Sequence, residues 1–178
     1  MTLHITEFPG DNALSEFRIR QLLPRLQHIH TQLLGLQARH VYLVASDQAL
    51  GAEPQASLQR LLAPVGTWDT PAQHSWVVSP RLGTVSPWAS KATDIARNCG
   101  LPLHRIERVT EYQFTFSAGD KPQSPVLEAL GEPLYDRMTE SVLFDRKESA
   151  GLFATVTAAP MAHVDVLGGG RASLEAAN

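Results

Sequence analysis

The sequence predicts an α+β domain in which antiparallel strands are covered by helices, and three observations support this class. Apolar residues make up 43% and charged residues 19% of the 178 residues, a balance typical of a chain with a packed core. Segments with strand and helix periodicity alternate along the chain, which by itself also suits a parallel α/β sheet. Residues 103–117 alternate apolar with charged side chains, however, and one water-exposed face favours antiparallel pairing.

Composition and charge argue against several function classes. The formal net charge is -3, from 15 basic and 18 acidic residues, and no long basic run could neutralise a phosphate backbone, so no nucleic-acid partner is expected. No segment approaches the roughly 18 apolar residues of a membrane span, and the first residues lack the layout of a secretory signal, so no membrane partner is expected. A single cysteine cannot form an internal disulfide, which predicts a cytoplasmic protein.

The first part of the chain is predicted to begin with a strand over 3–8, which residues 9–12 end as a turn. A helix follows with Ser15 as its N-cap, and Pro24 in its interior predicts a kink or a break. Its apolar side is predicted to hold Phe17, Leu22, Leu23, Leu26 and Ile29. Three more elements follow in order: a covered strand over 39–46, a short helix over 53–63 and a strand over 75–79.

Residues 80–101 carry the clearest local signals and predict a loop that runs into a capped helix. Ser86 is a typical N-cap, because its hydroxyl can accept a hydrogen bond from the first free backbone N–H groups. Pro87 suits the first helical position, where its missing N–H costs nothing, and Gly100 suits the left-handed residue that follows a helix. Helical spacing predicts one buried face, made of Trp88, Ala92, Ile95, Ala96 and Cys99.

The second half is predicted to contain one long strand, a polar loop over 118–125 and a further helix over 133–144. The helix is predicted because Leu134, Met138 and Val142 are spaced by four. In the strand at 103–117, the predicted water-exposed side holds Arg105, Glu107, Glu111 and Gln113. Periodicity is then lost until a helix begins near residue 171, with no predicted end. We therefore divide the chain into a domain over 1–145 and a truncated linker start over 146–178.

No complete catalytic motif is present, and no catalytic residue or metal site is predicted. His28 and His30 are two residues apart on a predicted helix and so point in different directions, without the ligand spacing of a zinc site. Cys99 lies at the C-terminal end of its predicted helix, where the helix dipole disfavours a thiolate, so we expect a small buried side chain. The glycine run at 168–170 lacks the Lys-Ser/Thr pair of a phosphate-binding loop.

One group of residues is suited to binding an anion. Arg81, Thr84, Ser86 and Lys91 surround Gly83 at the start of the central predicted helix. Cations, hydroxyls and free N–H groups at a helix N-terminus attract phosphate or carboxylate groups. The alternative is that Ser86 only caps the helix, while Arg81 and Lys91 are solvated surface cations. Both interpretations stay open from the residues alone.

The longest recognisable pattern reads Arg81-x-Gly83-Thr84-x-Ser86-Pro87-Trp88-x-Ser90-Lys91-Ala92-Thr93-Asp94-Ile95-Ala96-x-Asn98-Cys99-Gly100-Leu101. Weaker blocks agree in order at 13–23, 136–140 and 166–178. Together these segments resemble the N-terminal region of the large, single-chain phosphoribosylformylglycinamidine synthases of purine biosynthesis. Leu82, Ala89 and Arg97 depart from the proline, serine and histidine common in that family, and Ala89 leaves no hydroxyl at its position.

This resemblance implies a fold and a role. The fold would be α+β, with antiparallel sheets and packed helices, similar to a fused dimer of the small separate subunit of other organisms. The domain would bridge the synthetase and glutaminase domains of the same chain, inactive alone, in an enzyme making formylglycinamidine ribonucleotide from formylglycinamide ribonucleotide, ATP and glutamine. ATP and magnesium would serve those other domains, with no cofactor here. The domain-coupling or substrate-proximal residues would be Arg81, Gly83, Thr84, Ser86, Trp88, Lys91 and Asp94.

Two other function classes remain as alternatives to this role. One is a free-standing module that binds small molecules carrying a phosphate anion at the loop from Arg81 to Lys91. The other is an interaction subunit that assembles through its sheets. Calorimetry with nucleotides and ribonucleotide phosphates would distinguish the first alternative from a coupling role.

Overall fold

Within the described part of the chain, every strand pairs with antiparallel neighbours. The computed structural model describes residues 3–62, 74–143, 146–154 and 160–178. The strands are β1 His4–Asn12, β2 Leu33–Ser46, β3 His74–Pro80, β4 Arg105–Phe116 and β5 Glu140–Leu143. The α-helices are α1 Glu16–Ile29, α2 Ala52–Leu62, α3 Pro87–Asn98, α4 Ser124–Gly131 and α5 Val166–Ala177, and 3-10 segments span Glu132–Leu134 and Arg146–Phe153. α5 is interrupted at Gly170, whose backbone angles (φ 55°, ψ −142°) are not helical. None of the helices in these ranges is long and apolar enough to cross a bilayer.

The sheet order is β1-β2-β4-β3-β5, and it contains two similar halves. In each half a strand, a helix and a second strand follow along the chain, as β1-α1-β2 and β3-α3-β4. The second strands, β2 and β4, lie side by side at the centre of the sheet and pair over most of their length. The predicted α+β class with antiparallel strands is confirmed, and the repeated unit agrees with a fused pair of small subunits.

Helices α1 to α4 cover one face of the sheet through two hydrophobic clusters. The first lies beneath α1 and α4, whose fully buried Leu26 and Leu130 pack with residues of β2, β3 and β4. The second lies beneath α2 and α3, whose Leu58 and Ala96 pack with residues of β1, β2 and β4. The helix of each half therefore contacts strands of both halves, which joins them into one core.

The opposite face of the sheet is covered as well. A third cluster joins the strands to the 3-10 segment at 146–153 and contains Val41, Leu43, Ala45, Val77, Val109, Leu143, Leu152 and Phe153. Glu107 and Glu111 on this face are only 0% and 3% exposed. Arg39 and Glu111 are register partners, and their side chains form an ion pair of 2.6 Å. The water-exposed face predicted for 103–117 is therefore wrong, because ion pairing and the 146–153 segment allow its charged residues to be buried.

Several other elements differ from the prediction. β2 begins at Leu33 instead of residue 39, and α5 begins at Val166 instead of near residue 171. β1 continues through residues 9–12 by a register shift instead of ending in a turn. α1 runs unbroken past Pro24, which is exposed, so water can reach the carbonyl that lacks its N–H partner. The helix predicted at 133–144 is a 3-10 turn followed by β5, and the helix lies earlier, at α4. The spacing by four between Leu134, Met138 and Val142 wrongly predicted one buried helix face. Val142 packs on the core from β5, whereas Met138 is 75% exposed.

Candidate functional site

The candidate site is the loop at 81–86, which connects β3 to α3 and is fixed by hydrogen bonds. The Arg81 N–H donates to the Thr139 carbonyl at 3.0 Å, which ties the loop to the residues before β5. The N–H and hydroxyl of Thr84 both donate to the Arg81 carbonyl, at 3.1 and 2.6 Å. Gly83 has a φ of 80°, a left-handed conformation that glycine adopts at little cost. The loop is therefore a defined turn, and the Thr84 hydroxyl is used within it.

α3 begins and ends at the residues that the sequence predicts. Ser86 has extended backbone angles (φ −70°, ψ 150°), and its hydroxyl oxygen accepts a hydrogen bond from the Ala89 N–H at 3.0 Å. Pro87 is the first helical residue. Gly100 follows the helix with a φ of 76°, and its N–H donates to the Arg97 carbonyl at 2.8 Å. The predicted cap, first-turn proline and terminal glycine are confirmed.

The buried face of α3 consists of small residues. Ala89, Thr93 and Ala96 are at most 5% exposed. Their size lets the helix lie close to β4, in the region where β3 no longer pairs with that strand. There Thr93 Oγ1 accepts a hydrogen bond from the Ile106 N–H at 3.0 Å. α3 thus satisfies a backbone donor of β4 that β3 leaves unpaired.

Two residues that were predicted on this buried face lie elsewhere. Ile95 is 55% exposed and, with Lys91 and Leu61, lines a shallow cavity of about 230 Å³ between α2 and α3. Cys99 is exposed at the C-cap, so the prediction of a buried cysteine is wrong. The helix is rotated relative to the prediction because Thr93, a polar residue, is one of those that face β4.

Trp88 packs toward the sheet from the first turn of α3. Its ring stacks on Tyr42, with a centroid distance of 5.4 Å and an interplanar angle of 17°. The guanidinium carbon of Arg108 lies 5.0 Å from the centroid of the Trp88 ring, a cation–π arrangement. Two strand side chains therefore hold the indole and fix the position of the helix start.

Glu107 of β4 lies at the N-terminal end of α3 with a fully buried side chain. Ser86 Oγ donates to Glu107 Oε2 at 3.2 Å, and Arg105 Nε lies 3.4 Å from Glu107 Oε1. Burial raises the pKa of Glu107, and the Arg105 charge and the Ser86 hydrogen bond partly oppose that shift. Glu107 Oε1 accepts no hydrogen bond from a described residue. The carboxyl group that lies beside the N-cap of α3 is therefore that of Glu107, a residue of the domain itself.

Neither Arg105 nor Glu107 was identified as a site residue from the sequence. Both were assigned to a water-exposed face, because charged side chains are seldom fully buried. The available signal was their spacing, since residues two apart on a strand lie on the same face and these carry opposite charges. Their contact with Ser86 depends on tertiary packing, which that spacing does not reveal.

The outward side of the site combines charge with apolar surface. Arg81, Lys91 and Asp94 are exposed. Leu82 and Val85, both apolar, are 45% and 52% exposed. The outward side of the loop therefore presents both cations and partly exposed apolar side chains on a fixed backbone.

Two features of the described residues bear on whether the site could bind a metal ion or a phosphate. No group of three or more His, Cys, Asp or Glu side chains that could hold a metal occurs in the described ranges. The N-terminus of α3 would favour a phosphate, but the Ser86 hydroxyl there already donates to the Glu107 carboxylate.

These features define an α+β domain that contains a repeated strand–helix–strand unit and presents one fixed loop beside a buried ion pair. Comparison with protein families narrows the class. The model of the formylglycinamide ribonucleotide amidotransferase N-terminal family matches residues 39–153, more than half of the chain. The chain therefore belongs to this family, and the resemblance found in the sequence is confirmed. The match includes the whole loop and the 146–153 segment, while a domain boundary at residue 145 stays a prediction.

Replacing Ser86 by alanine is expected to lower the free energy of unfolding by about 1–2 kcal/mol, because α3 loses its N-cap and Glu107 loses a hydrogen bond. Urea unfolding followed by circular dichroism measures the change. Ser90→Ala is the matched control: Ser90 is exposed, its hydroxyl reaches the Ser86 carbonyl only at 3.4 Å, and a loss below about 0.5 kcal/mol is expected. Equal losses in the two variants would contradict the capping role.

Proposed function

We propose that this chain is a non-catalytic coupling domain of phosphoribosylformylglycinamidine synthase. That enzyme is a C–N ligase that converts formylglycinamide ribonucleotide, ATP and glutamine into formylglycinamidine ribonucleotide. The domain bridges the synthetase domain, which uses ATP and magnesium, and the glutaminase domain, which releases ammonia from glutamine. The observation that carries the proposal is the family match over residues 39–153.

The loop at 81–86 is the part of the domain best suited to meet a neighbouring domain. Interface cores are enriched in arginine and depleted in most other charged residues, and Arg81, Leu82 and Val85 present that combination. The hydrogen bonds that close the turn hold the backbone before any partner arrives, so docking costs little conformational entropy. Lys91 and Asp94 extend the same surface along the first turns of α3.

A free-standing module for phosphate anions is the second candidate, and the geometry of the loop argues against it. Two of its ligands would be Thr84 Oγ1 and Ser86 Oγ, which already donate to the Arg81 carbonyl and to Glu107. Calorimetric titration of this chain with ribonucleotide phosphates tests the candidate. Saturable binding that is lost in Arg81→Ala would favour it over the coupling role.

The coupling role predicts that Arg81→Ala combined with Lys91→Ala lowers glutamine-dependent turnover of the complete enzyme about tenfold, which corresponds to about 1.4 kcal/mol. The reason is that both cations lie on the proposed docking surface and neither supports the core. Steady-state assays with glutamine and with ammonium as nitrogen donor measure the effect. Ammonium-dependent turnover should fall less, because it does not require transfer between domains.

The matched control for this pair is Arg25→Ala combined with Lys121→Ala. Both residues are exposed and lie outside α3 and its loop, and the change in charge is the same. The control enzyme should keep its glutamine-dependent turnover within about twofold. Unchanged turnover and unchanged domain assembly in the Arg81, Lys91 variant would reject the coupling role of the loop.

A further inference from the structure

We infer that Arg105 and Glu107 form a positioning pair, through which docking of the 146–153 segment holds Ser86, the last residue of the loop at 81–86, in its capping position. The conformational part of this inference stands on contacts within the chain. Only the functional importance of the loop at 81–86 rests on the proposed function. Neither residue lies on the outward side of the loop, so both act through Ser86.

The 146–153 segment packs on the sheet through its last two residues. Leu152 and Phe153 are 1% and 9% exposed and belong to the third hydrophobic cluster. Arg105 contacts both of them, because its guanidinium donates to the Leu152 carbonyl and lies 5.1 Å from the centroid of the Phe153 ring. One arginine of β4 therefore binds the backbone and the side chain at the end of this segment.

The same arginine reaches the loop through Glu107. Arg105 Nε lies 3.4 Å from one carboxylate oxygen, and the other oxygen accepts the hydroxyl of Ser86. Because Glu107 is fully buried, its negative charge depends on Arg105 for compensation. When Arg105 moves with the segment, Glu107 must either follow it or take up a proton. Either response changes the hydrogen bond to Ser86 and with it the cap of α3.

The backbone of the segment also passes near the loop at Leu82. A Cβ placed on Gly151 would lie 3.7 Å from Leu82 Cδ2, an ordinary van der Waals distance. The 146–153 segment therefore runs beside Leu82, while its link to Ser86 goes through the positioning pair. The Arg81 end of the loop is held by its own hydrogen bonds, so loss of the segment should affect mainly the Ser86 end.

Amide hydrogen exchange in this chain tests the inference, with the Ala89 N–H as reporter because it donates to Ser86 Oγ. The Arg18 N–H is the matched control, since it donates to the corresponding cap of α1. Phe153→Leu keeps an apolar side chain but removes the ring, and it is expected to speed Ala89 exchange about fivefold and leave Arg18 unchanged. Phe153→Tyr keeps the ring and should restore the wild-type rate.

A double-mutant comparison shows whether Phe153 affects the α3 cap through Glu107 or by destabilising the domain as a whole. Glu107→Gln keeps the shape and a hydrogen-bond acceptor but removes the charge, so in that background Phe153→Leu should change Ala89 exchange less than about twofold. An unchanged Ala89 rate, an equal effect in both backgrounds or a parallel change at Arg18 would overturn the inference. If Phe153→Leu does not fold, Arg105→Lys permits the same comparison, because it keeps the charge and loses the stacked guanidinium.

The positioning pair and the coupling role can fail separately. Coupled exchange at Ala89 together with normal turnover of the Arg81, Lys91 variant would retain the pair and reject the coupling role. Independent exchange together with reduced turnover of that variant would reject the pair and retain the coupling role.

Discussion

Trp88→Ala is expected to lower the free energy of unfolding by about 3 kcal/mol, more than the loss expected for Ser86→Ala. The indole packs in the second hydrophobic cluster, stacks on Tyr42 and carries the Arg108 guanidinium over its ring. Truncation removes this apolar contact and leaves a space that neighbouring side chains fill only in part. Urea unfolding of the variant and the wild type, followed by circular dichroism, measures the difference.

Phe17→Ala is the matched control for this substitution. Phe17 is also an aromatic residue in the first turn of a helix, but it is 61% exposed, so a loss below about 1 kcal/mol is expected. Trp88→Phe should lie between the wild type and Trp88→Ala, because it keeps a ring to stack on Tyr42. If Trp88→Ala costs no more than the control, the indole does not support the core and is instead available to a partner.

The site residues named from the sequence divide into an inner and an outer group. Ser86 and Trp88 face inward, where they cap α3 and fix it on the sheet. Arg81, Lys91 and Asp94 face outward and are exposed. This division predicts different variant behaviour: inner substitutions lower stability, whereas outer ones alter turnover of the complete enzyme without unfolding the domain.

The start and the end of α3 could be predicted because the signals that set them are local. The Ser86 hydroxyl caps a backbone N–H only three residues away, and the freedom of Gly100 to adopt a positive φ is a property of that residue alone. The family pattern was recognisable for the same reason, since it is one continuous stretch of sequence. Local chemistry of this kind does not depend on what the rest of the chain does.

The buried charges of β4 could not be predicted, because their partners are distant in sequence. Glu111 is paired by Arg39, 72 residues earlier, and Arg105 contacts Leu152, 47 residues later. Alternating charged and apolar residues favour a strand with one wet face only when nothing covers that face. Antiparallel pairing was therefore predicted correctly, while the water-exposed face used to support it is wrong.

The buried ion pair leads to the second large effect. Arg105→Met is expected to lower the free energy of unfolding by about 3 kcal/mol at pH 7, because the fully buried Glu107 loses its compensating charge. Removing one partner of a buried ion pair typically costs about 3–5 kcal/mol. We expect the lower end of this range because the Arg105 side chain is itself 21% exposed. Arg137→Met is the matched control: Arg137 pairs with Glu132 at the surface, and a loss below about 1 kcal/mol is expected.

The loss in Arg105→Met should depend on pH. Burial raises the folded-state pKa of Glu107 above its ordinary value of 4.5, so the folded state holds this proton more tightly than the unfolded state. The contribution of Glu107 to stability is therefore greatest below pH 4.5 and declines as pH rises through the folded-state pKa. Without Arg105 that pKa rises further and the decline becomes larger. The stability difference between variant and wild type should consequently shrink as pH falls from 7 to 5.

Urea unfolding at pH 7 and pH 5, with Glu107→Gln as a second background, separates the charge effect from lost packing. Gln carries no charge at either pH. In that background Arg105→Met should therefore lower the free energy of unfolding by a smaller amount, and this amount should be equal at pH 7 and pH 5. A pH-independent loss in the Glu107 protein would mean that Arg105 stabilises the domain through Leu152 and Phe153 alone. The link from the 146–153 segment to the α3 cap would then lack its charged connection, since Glu107 and Arg105 are the residues that join the two.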